Sequence, residues 1–308
     1  DGDWSDSANW SGSKPASADT AIFDGRATQS VDVVAAMDQS GVDLAKLHIM
    51  ESYTGSIGDA DYNSGSGIGP LLFECSGDVI IEGTGNYYLQ CGNDAADADV
   101  ARTVINCTGT VELSSQKNGY GGNIAVWEDV YVLSGTVNIK GNADNIAGTI
   151  DTAAGSVDDG TWVNNLYMMP SNGRGGGVVV TIGDQCERFK ATVDRITIYM
   201  AGGTLNAYTD ITLLTVSGGT ANIGGTAYDM DAGDDTVTTL TMYGGTVNWK
   251  PTNTAATPDE ASEDPVITTL NLYGGTFDGS GMLATKTTAP EITTCTMYDG
   301  TTLNLNNG

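Results

Sequence analysis

The sequence has few residues of the types that catalyse reactions, and most of the candidates are acids. His48 is the only histidine, and it lies in the alternating stretch 46–49, which indicates an ordinary strand position rather than the base of a catalytic triad. Asp158-Asp159 and Asp234-Asp235 are the obvious carboxylate pairs for glycoside hydrolysis, whose inverting form needs two acids about 6.5 to 9.5 Å apart. Both pairs lie in glycine-containing segments typical of solvated turns. The sequence therefore favours a protein that is not an enzyme.

Arg174, in the glycine-rich stretch 172–177, is the best basic candidate for a lyase acting on uronic acids. Such an enzyme combines a basic residue with calcium-binding aspartates. The composition opposes this reading, because 39 Asp and Glu against 12 Lys and Arg give a formal net charge of −27, which repels a polyanionic substrate. The same charge repels phosphate backbones and anionic lipids, so we expect neither nucleic acid nor a membrane as a partner.

Two acid-rich segments carry the hard oxygen ligands that Ca²⁺ prefers. Residues 229–235 contain four carboxylates, and Asp94, Asp97 and Asp99 form a second cluster. Neither segment follows the EF-hand spacing or the Gly-Gly-x-Gly-x-Asp nonapeptide repeat. A structural Ca²⁺ is the one ion that these segments are suited to bind. Apart from it, we expect no cofactor and no metal.

The elements that would position these residues follow a short repeat. Its unit is an alternating strand, a tight glycine corner and a second short strand, as in residues 240–249, Leu-Thr-Met-Tyr-Gly-Gly-Thr-Val-Asn-Trp. A degenerate copy, 159–164, falls in the longest gap of the series. A period of roughly 20 to 50 residues is typical of solenoids, propellers and arrays. Most steps are close to 26 residues between the threonines that follow the corner, which are Thr110, Thr136, Thr204, Thr220, Thr246, Thr276 and Thr301.

One unit has no helix-period segment and cannot bury its own apolar face, so copies must stack on each other. The period of two puts Val247 and Trp249 on the inner face and Thr and Asn on an outer ladder. We expect Val137, Val247 and Phe277 to share one interior column, and the glycine pairs to supply positive φ at the corners. The sequence predicts an all-β parallel β-solenoid, most naturally a right-handed β-helix with about 25 residues per coil and an atypical N-terminal cap, because propeller blades need about 40 residues.

The chain has five cysteines, which are Cys75, Cys91, Cys107, Cys186 and Cys295. An odd number without close pairs argues against a disulfide framework and indicates folding in a reducing compartment. We expect all five to be small buried hydrophobic residues. The first three are 16 residues apart, a spacing that would place them in one interior column.

The chain divides into an N-terminal cap or anchor segment rich in tryptophan (residues 1–58), transition strands and loops (59–99) and regular β-helix coils (100–308). In the first segment the pattern Trp-x5-Trp is followed by a proline and by Asp-Thr-Ala-Ile-Phe. A solenoid needs an atypical terminal unit to cover its open end. Aromatic anchoring to a partner is the second interpretation and is compatible with the first. The candidate partner-anchoring residues are Trp4, Trp10, Pro15 and Phe23.

This opening, together with the strand-like stretches 31–33, 47–49 and 53–58, resembles the start of β-solenoid proteins on the virion surface of tailed bacteriophages and, in style, of bacterial surface and adhesin β-solenoids. The resemblance implies a structural protein of a phage particle surface: a capsid decoration protein, a head fibre or a spike component. It implies assembly in the host cytoplasm, a place on the virion surface, and partners such as the major capsid protein or further copies of the chain in a trimer.

Two alternatives remain open at this point. A β-helical tail spike would bind or cleave a host-surface glycan, and a bacterial adhesin passenger would be exported. The predicted outer ladder of Thr and Asn is either the hydrogen-bonded exterior of the solenoid or a flat strip that binds carbohydrate or ice.

Overall fold

The computed structural model describes residues 2–25, 32–35, 37–59, 69–91, 100–114, 124–140, 160–170, 177–183, 196–208, 211–224, 236–250, 266–280 and 291–305. Within these ranges there is one short 3-10 turn, Ser7–Asn9, and no α-helix. The strands are β1 (Gly2–Asp3), β2 (Thr20–Phe23), β3 (Val33–Ala35), β4 (Asp38–Ile49), β5 (Leu71–Ile81), β6 (Tyr87–Cys91), β7 (Val100–Ser114), β8 (Ile124–Lys140), β9 (Gly160–Met168), β10 (Val178–Ile182), β11 (Ile196–Met200), β12 (Thr204–Ala207), β13 (Ile211–Val216), β14 (Thr220–Ile223), β15 (Val237–Met242), β16 (Thr246–Trp249), β17 (Val266–Leu272), β18 (Thr276–Asp278), β19 (Glu291–Met297) and β20 (Thr302–Asn304).

The strands of the described ranges pair in parallel, and 18 of them belong to one hydrogen-bonded set. One stack runs β9, β11, β13, β15, β17, β19, and a second runs β10, β12, β14, β16, β18, β20. The long strands β7 and β8 contribute to both stacks. This solenoid-like winding confirms the predicted all-β, parallel class.

Five pairs of strands repeat the predicted unit of strand, glycine corner and strand, and we call each pair a layer: β11 with β12, β13 with β14, β15 with β16, β17 with β18, and β19 with β20. The glycine before the second strand has a φ of 77° to 87° in every layer. Gly245 shows why, since a Cβ there would lie 2.7 Å from the carbonyl oxygen of Gly219 in the layer below. The corners therefore use glycine both for positive φ and for close stacking.

The interior is a set of apolar columns that run through the layers. Val137, Val247 and Phe277 belong to one of them and have no exposed surface, as predicted. Each strand of the second stack contributes one member through its register, so the column includes Ile57, Tyr87, Val111, Val137, Val180, Leu205, Ala221, Val247, Phe277 and Leu303. Burial is shared between layers, which is why no single layer is stable alone.

The exterior carries polar and aromatic ladders. The predicted outer threonines Thr204, Thr220, Thr246 and Thr276 pair in register. The prediction for Thr301 is wrong by one residue, because Thr302 pairs with Thr276. Tyrosine rings stack in two places, with centroids 4.5 to 5.2 Å apart, and these groups are Tyr131-Tyr167-Tyr199 and Tyr243-Tyr273-Tyr298. The ladders add cross-strand contacts to the backbone hydrogen bonds of each layer.

The degenerate copy at 159–164 is not aligned as the sequence predicts. Thr161 pairs with Ala125 in the first stack, whereas Val179 occupies the position above Thr136. Parallel pairing is made by backbone groups, and a β-branched valine fits the outer pleat as well as threonine does. A motif search for threonine therefore misses this turn of the winding.

The cysteines depart from the prediction in two ways. Cys75 pairs with Leu44 and Cys91 pairs with Phe73, so the regular spacing does not produce one column. These two and Cys107 are buried, but Cys295 is exposed because the last layer has no layer beyond it in the described residues. Cys186 lies outside the described residues.

Parallel stacking starts early in the chain. β2 pairs with β4 and β4 pairs with β5, so both the segment 1–58 and the segment 59–99 contribute strands to the hydrogen-bonded set. Their pairing is less regular than that of the later layers, since the register of β4 with β5 shifts twice.

Candidate functional site

The four residues singled out in the N-terminal segment meet around one open pocket of about 850 Å³. Trp4 is 1% exposed and Phe23, at the end of β2, is 7% exposed. Pro15 is buried and Trp10 is half-buried. Residues that are up to 19 positions apart in sequence therefore form one continuous surface at the first strand of the stack.

Short-range hydrogen bonds shape the loop that carries the two tryptophans. The Asp3 carboxylate accepts from the backbone N–H and the hydroxyl of Ser5, both at 2.7 Å. Asp6 caps the 3-10 turn by accepting from the N–H of Ala8 at 2.9 Å. The indole Nε1 of Trp10 donates to the carbonyl oxygen of Trp4 at 2.9 Å. Apart from the bond of the Ser5 hydroxyl, each of these bonds satisfies a backbone group that a short loop would otherwise leave unpaired.

Two of the four ring contacts in this cluster are edge to face, and the other two are tilted. The centroid of Trp4 lies 5.0 Å from that of Trp10 at an interplanar angle of 69°, and Trp10 lies 5.5 Å from Phe23 at 68°. Phe23 in turn lies 5.4 Å from Tyr53. Edge-to-face packing of this kind adds about 0.5 to 1.5 kcal/mol per pair beyond simple burial. The rings form a rigid aromatic cluster that joins the loop to the apolar interior.

Tyr53 continues the cluster into the stack, and the sequence did not single it out. It is 5% exposed, and its burial raises the pKa of its phenol. Its carbonyl oxygen lies 3.5 Å from the hydroxyl of Tyr87, whose burial raises the pKa of that phenol to about 12. The signal available in the sequence was weak, because a tyrosine in a glycine-rich loop is common on protein surfaces.

The rim of the pocket is acidic. Asp3, Asp19 and Asp24 line it, and none of the described lining residues is Lys or Arg. The hydrogen bonds from Ser5 lower the pKa of Asp3, so this carboxylate is charged at neutral pH. Ile22, which also lines the pocket, is 46% exposed. The pocket thus combines an aromatic floor, an exposed aliphatic side chain and negative charge.

His48 occupies the ordinary outer strand position that the sequence predicts. Its Nε2 lies 3.0 Å from a carboxylate oxygen of Glu82, and both side chains are partly exposed. His48 pairs with Ile80 in register, so Glu82 lies diagonally across from it and the contact joins neighbouring strands on the exterior.

The other chemistry-bearing candidates lie outside the described residues. They are the pairs Asp158-Asp159 and Asp234-Asp235, Arg174, and the acid-rich segments around 94–99 and 229–235. Among the residues that the structure describes, no group of three or more His, Cys, Asp or Glu side chains is placed to hold a metal ion.

The outer asparagines form a hydrogen-bonded ladder along the second stack. The amide of Asn222 donates to Asn206 at 2.9 Å, and that of Asn248 donates to Asn222 at 2.8 Å. Asn304 donates to Asp278 at 3.2 Å in the last layer. Each amide thus uses one N–H donor in a hydrogen bond to the neighbouring layer. These bonds stabilise the stack and leave fewer donors for hydrogen bonds to a ligand.

Within the described residues no helix is long and apolar enough to cross a membrane. Comparisons of the chain with protein-family models, with curated proteins and with solved structures gave no significant match.

Proposed function

We propose that the chain is a non-enzymatic structural protein of a tailed-phage particle surface, attached to the particle through its N-terminal pocket. In this proposal it is a right-handed β-helix with about 25 residues per coil, and the aromatic cluster is both its cap and its anchor. It serves as a capsid decoration protein, head fibre or spike component, and its partners are other virion proteins such as the major capsid protein. It is assembled in the host cytoplasm and functions on the virion surface.

The observation that carries the proposal is the convergence of Trp4, Trp10, Pro15 and Phe23 on one open pocket. Aromatic residues are enriched in the centres of protein interfaces, where they supply large contact area at low entropic cost. Ile22 adds an exposed aliphatic side chain beside them. A stack of layers that presents such a surface at its first strand is suited to projecting from a partner.

A glycan-binding tail spike is the second candidate, and the ladder of outer Thr and Asn favours it. Flat polar strips on parallel sheets can contact extended polysaccharides. The mutual hydrogen bonds of Asn206, Asn222 and Asn248 weigh against it, since they occupy part of the amide bonding capacity.

The test is co-sedimentation of the purified chain with capsids of the phage whose genome encodes it. Trp10→Ala and Ile22→Ala should each reduce the bound fraction by at least about tenfold, because loss of a central interface anchor costs about 2 kcal/mol or more. Tyr243→Ala is the matched control, since Tyr243 is 58% exposed at a corner and does not line the pocket. Circular dichroism checks that every variant stays folded.

Equal sedimentation of the two pocket variants and the wild type would refute the anchor. Release of reducing ends or unsaturated uronates from host polysaccharide would instead support a glycan-cleaving spike.

A further inference from the structure

The N-terminal pocket holds two carboxylates without a counter-ion. Asp3 and Asp19 both line it. Asp3 uses one carboxylate oxygen to accept from Ser5, and Asp19 uses one to accept from the backbone N–H of Ala16 at 2.9 Å. None of the ion pairs between described residues involves either aspartate. The second oxygen of each carboxylate can therefore accept from a ligand, since an ionised carboxylate has about four lone-pair sites.

Backbone hydrogen bonds fix the positions of these two aspartates. The N–H of Asp19 donates to the carbonyl oxygen of Ala16 at 3.0 Å, and its carbonyl oxygen accepts from the N–H of Ala45, in β4, at 2.9 Å. The side-chain amide of Asn9 donates to the carbonyl oxygen of Asp3 at 2.8 Å. A ligand that binds to carboxylates held in this way loses less affinity to the ordering of the site.

The pocket offers little to an anion. The indole Nε1 of Trp10 already donates to the carbonyl oxygen of Trp4, and the Nε1 of Trp4 is buried. Lys14 belongs to the same loop, but it is exposed and does not line the pocket. The net charge of −27 adds a repulsion that acts over the whole molecule. The charge of the site therefore selects a cation.

An organic cation fits the pocket better than a metal ion does. Asp3, Asp19 and Asp24 do not form a metal-binding group, since no three acidic, His or Cys side chains of the described residues are placed to hold one. Hard metal ions require several oxygen ligands that converge on one point. The volume of about 850 Å³ lies instead in the range of sites for small organic groups.

The aromatic floor narrows the choice to a planar cation. Trp10 is the half-buried ring of the cluster, whereas Trp4, Phe23 and Tyr53 are at most 7% exposed. Cations are attracted to the faces of aromatic rings, and tryptophan gives the strongest attraction. A guanidinium group stacks on such a ring and carries five N–H donors in one plane, which allows it to reach separate carboxylates at the same time.

We propose that the N-terminal pocket binds the guanidinium group of an arginine on the partner protein. The guanidinium plane packs against Trp10, and its N–H groups donate to Asp3 and Asp19. This inference deepens the proposed function and rests on it, because the arginine belongs to the virion protein to which the pocket attaches.

The first test is a titration of the full chain, labelled with a nitrogen isotope for magnetic resonance of the indole N–H groups. The probe is the peptide acetyl-Gly-Arg-Gly-amide. The Trp10 signal, assigned by its loss in Trp10→Phe, should shift in a saturable way. The signals of Trp127 and Trp249 should stay unchanged, because both side chains are buried and do not line the pocket. The same peptide with citrulline, which has the shape of arginine without its charge, should give no saturable shift.

Charge removal in the pocket gives a matched pair of variants. Asp3→Asn combined with Asp19→Asn keeps an oxygen acceptor for Ser5 and Ala16 and should raise the dissociation constant of the arginine peptide about three- to tenfold. Glu291→Gln combined with Asp299→Asn removes the same charge at exposed positions far along the chain and should leave this constant unchanged.

Four results would overturn the proposal. They are equal binding of the citrulline peptide, an unchanged constant in the pocket variant, tighter binding of tetramethylammonium than of the arginine peptide, and binding that appears only in Arg26→Ala. The third result would assign the pocket to a free quaternary ammonium ion, and the fourth would assign it to an arginine of the chain itself.

Co-sedimentation with capsids separates this proposal from the attachment itself. Saturating arginine peptide should lower the bound fraction of the wild-type chain, and the citrulline peptide should not. If Trp10→Ala abolishes sedimentation while the arginine peptide has no effect, the attachment stands and the arginine is refuted. If the arginine peptide binds but Trp10→Ala and Ile22→Ala sediment like the wild type, the attachment is refuted and the guanidinium site stands.

Discussion

Alanine at Gly245 should destabilise the protein far more than alanine at two other glycines. Gly245 has a φ of 77°, and a Cβ there would lie 2.7 Å from the carbonyl oxygen of Gly219 and 2.9 Å from the carbonyl carbon of Gly218. These contacts are all with backbone, so no side chain can move aside. Gly300 has a φ of 87° with no atom within 4 Å of its Cβ position, and Gly12 has open space and no positive φ. Comparing the three glycines therefore separates the cost of the steric contact, present only at Gly245, from the cost of positive φ, present at Gly245 and Gly300.

The magnitudes follow from these differences. Left-handed φ costs a non-glycine residue about 1 to 2 kcal/mol, while alanine gains about 0.4 to 1 kcal/mol by restricting the unfolded chain. Gly300→Ala should therefore cost about 1 kcal/mol. Gly245→Ala adds the strain of overpacking, about 1 to 3 kcal/mol, for a total of about 2 to 4 kcal/mol. Gly12→Ala should be neutral or stabilise the protein by up to about 1 kcal/mol.

Urea unfolding followed by far-ultraviolet circular dichroism measures the free energy of unfolding of the three variants, and equal m-values show that the comparison is valid. The expected order of destabilisation is Gly245→Ala, then Gly300→Ala, then Gly12→Ala. If Gly245→Ala costs no more than Gly300→Ala, the layers are not in backbone contact at the corners and the stacking described above is wrong.

Three further predictions test the interior, the N-terminal loop and the buried phenol. Phe277→Ala should lower the free energy of unfolding by about 3 to 5 kcal/mol, because it leaves a cavity in an apolar column; Tyr273→Ala, at an exposed corner, should cost less than 1.5 kcal/mol as measured by urea unfolding. The pKa of Asp3 is lowered in the folded loop, so its carboxylate stabilises the fold above the unfolded pKa of about 3.9, and this stabilisation is lost as the pH falls through the folded value. Tryptophan fluorescence of the wild type should change in that acidic range, and Asp3→Asn should remove this change. The pKa of Tyr87 is raised to about 12, so its neutral phenol stabilises the fold below the unfolded pKa of about 10, and this stabilisation is lost as the pH rises towards 12. An absorbance titration of the phenols should lose a late-titrating group in Tyr87→Phe. An unchanged curve would contradict the burial of this side chain.

The repeating unit could be predicted because its physical requirements leave direct traces in the sequence. Positive φ needs glycine, which marks the corners at Gly203, Gly219, Gly245 and Gly275. The inner face needs apolar side chains at every second position, and Val247 and Trp249 are both fully buried. These local rules are enough to give the all-β parallel class and the interior column.

The alignment of the less regular turns could not be predicted, because the outer positions tolerate many residues. Val179 replaces the expected threonine, and β8 passes through its corner at Gly135 as a single strand of 17 residues. The acidic rim of the pocket was also missed, since Asp19 and Asp24 approach Trp10 only after the loop folds back on β2. Contacts of this kind depend on tertiary structure and leave no periodic signal.

The chain between layers varies in length while the register of the strands does not. Residues 208–210, 224–236 and 250–265 connect successive layers, which gives connections of 3, 13 and 16 residues. Thr204, Thr220, Thr246 and Thr276 nevertheless pair in one ladder. Foreign peptides could therefore be inserted into the longer connections without shifting the strands on either side. The protein would then act as a display scaffold on which the height of each insert is set by the number of layers beneath it.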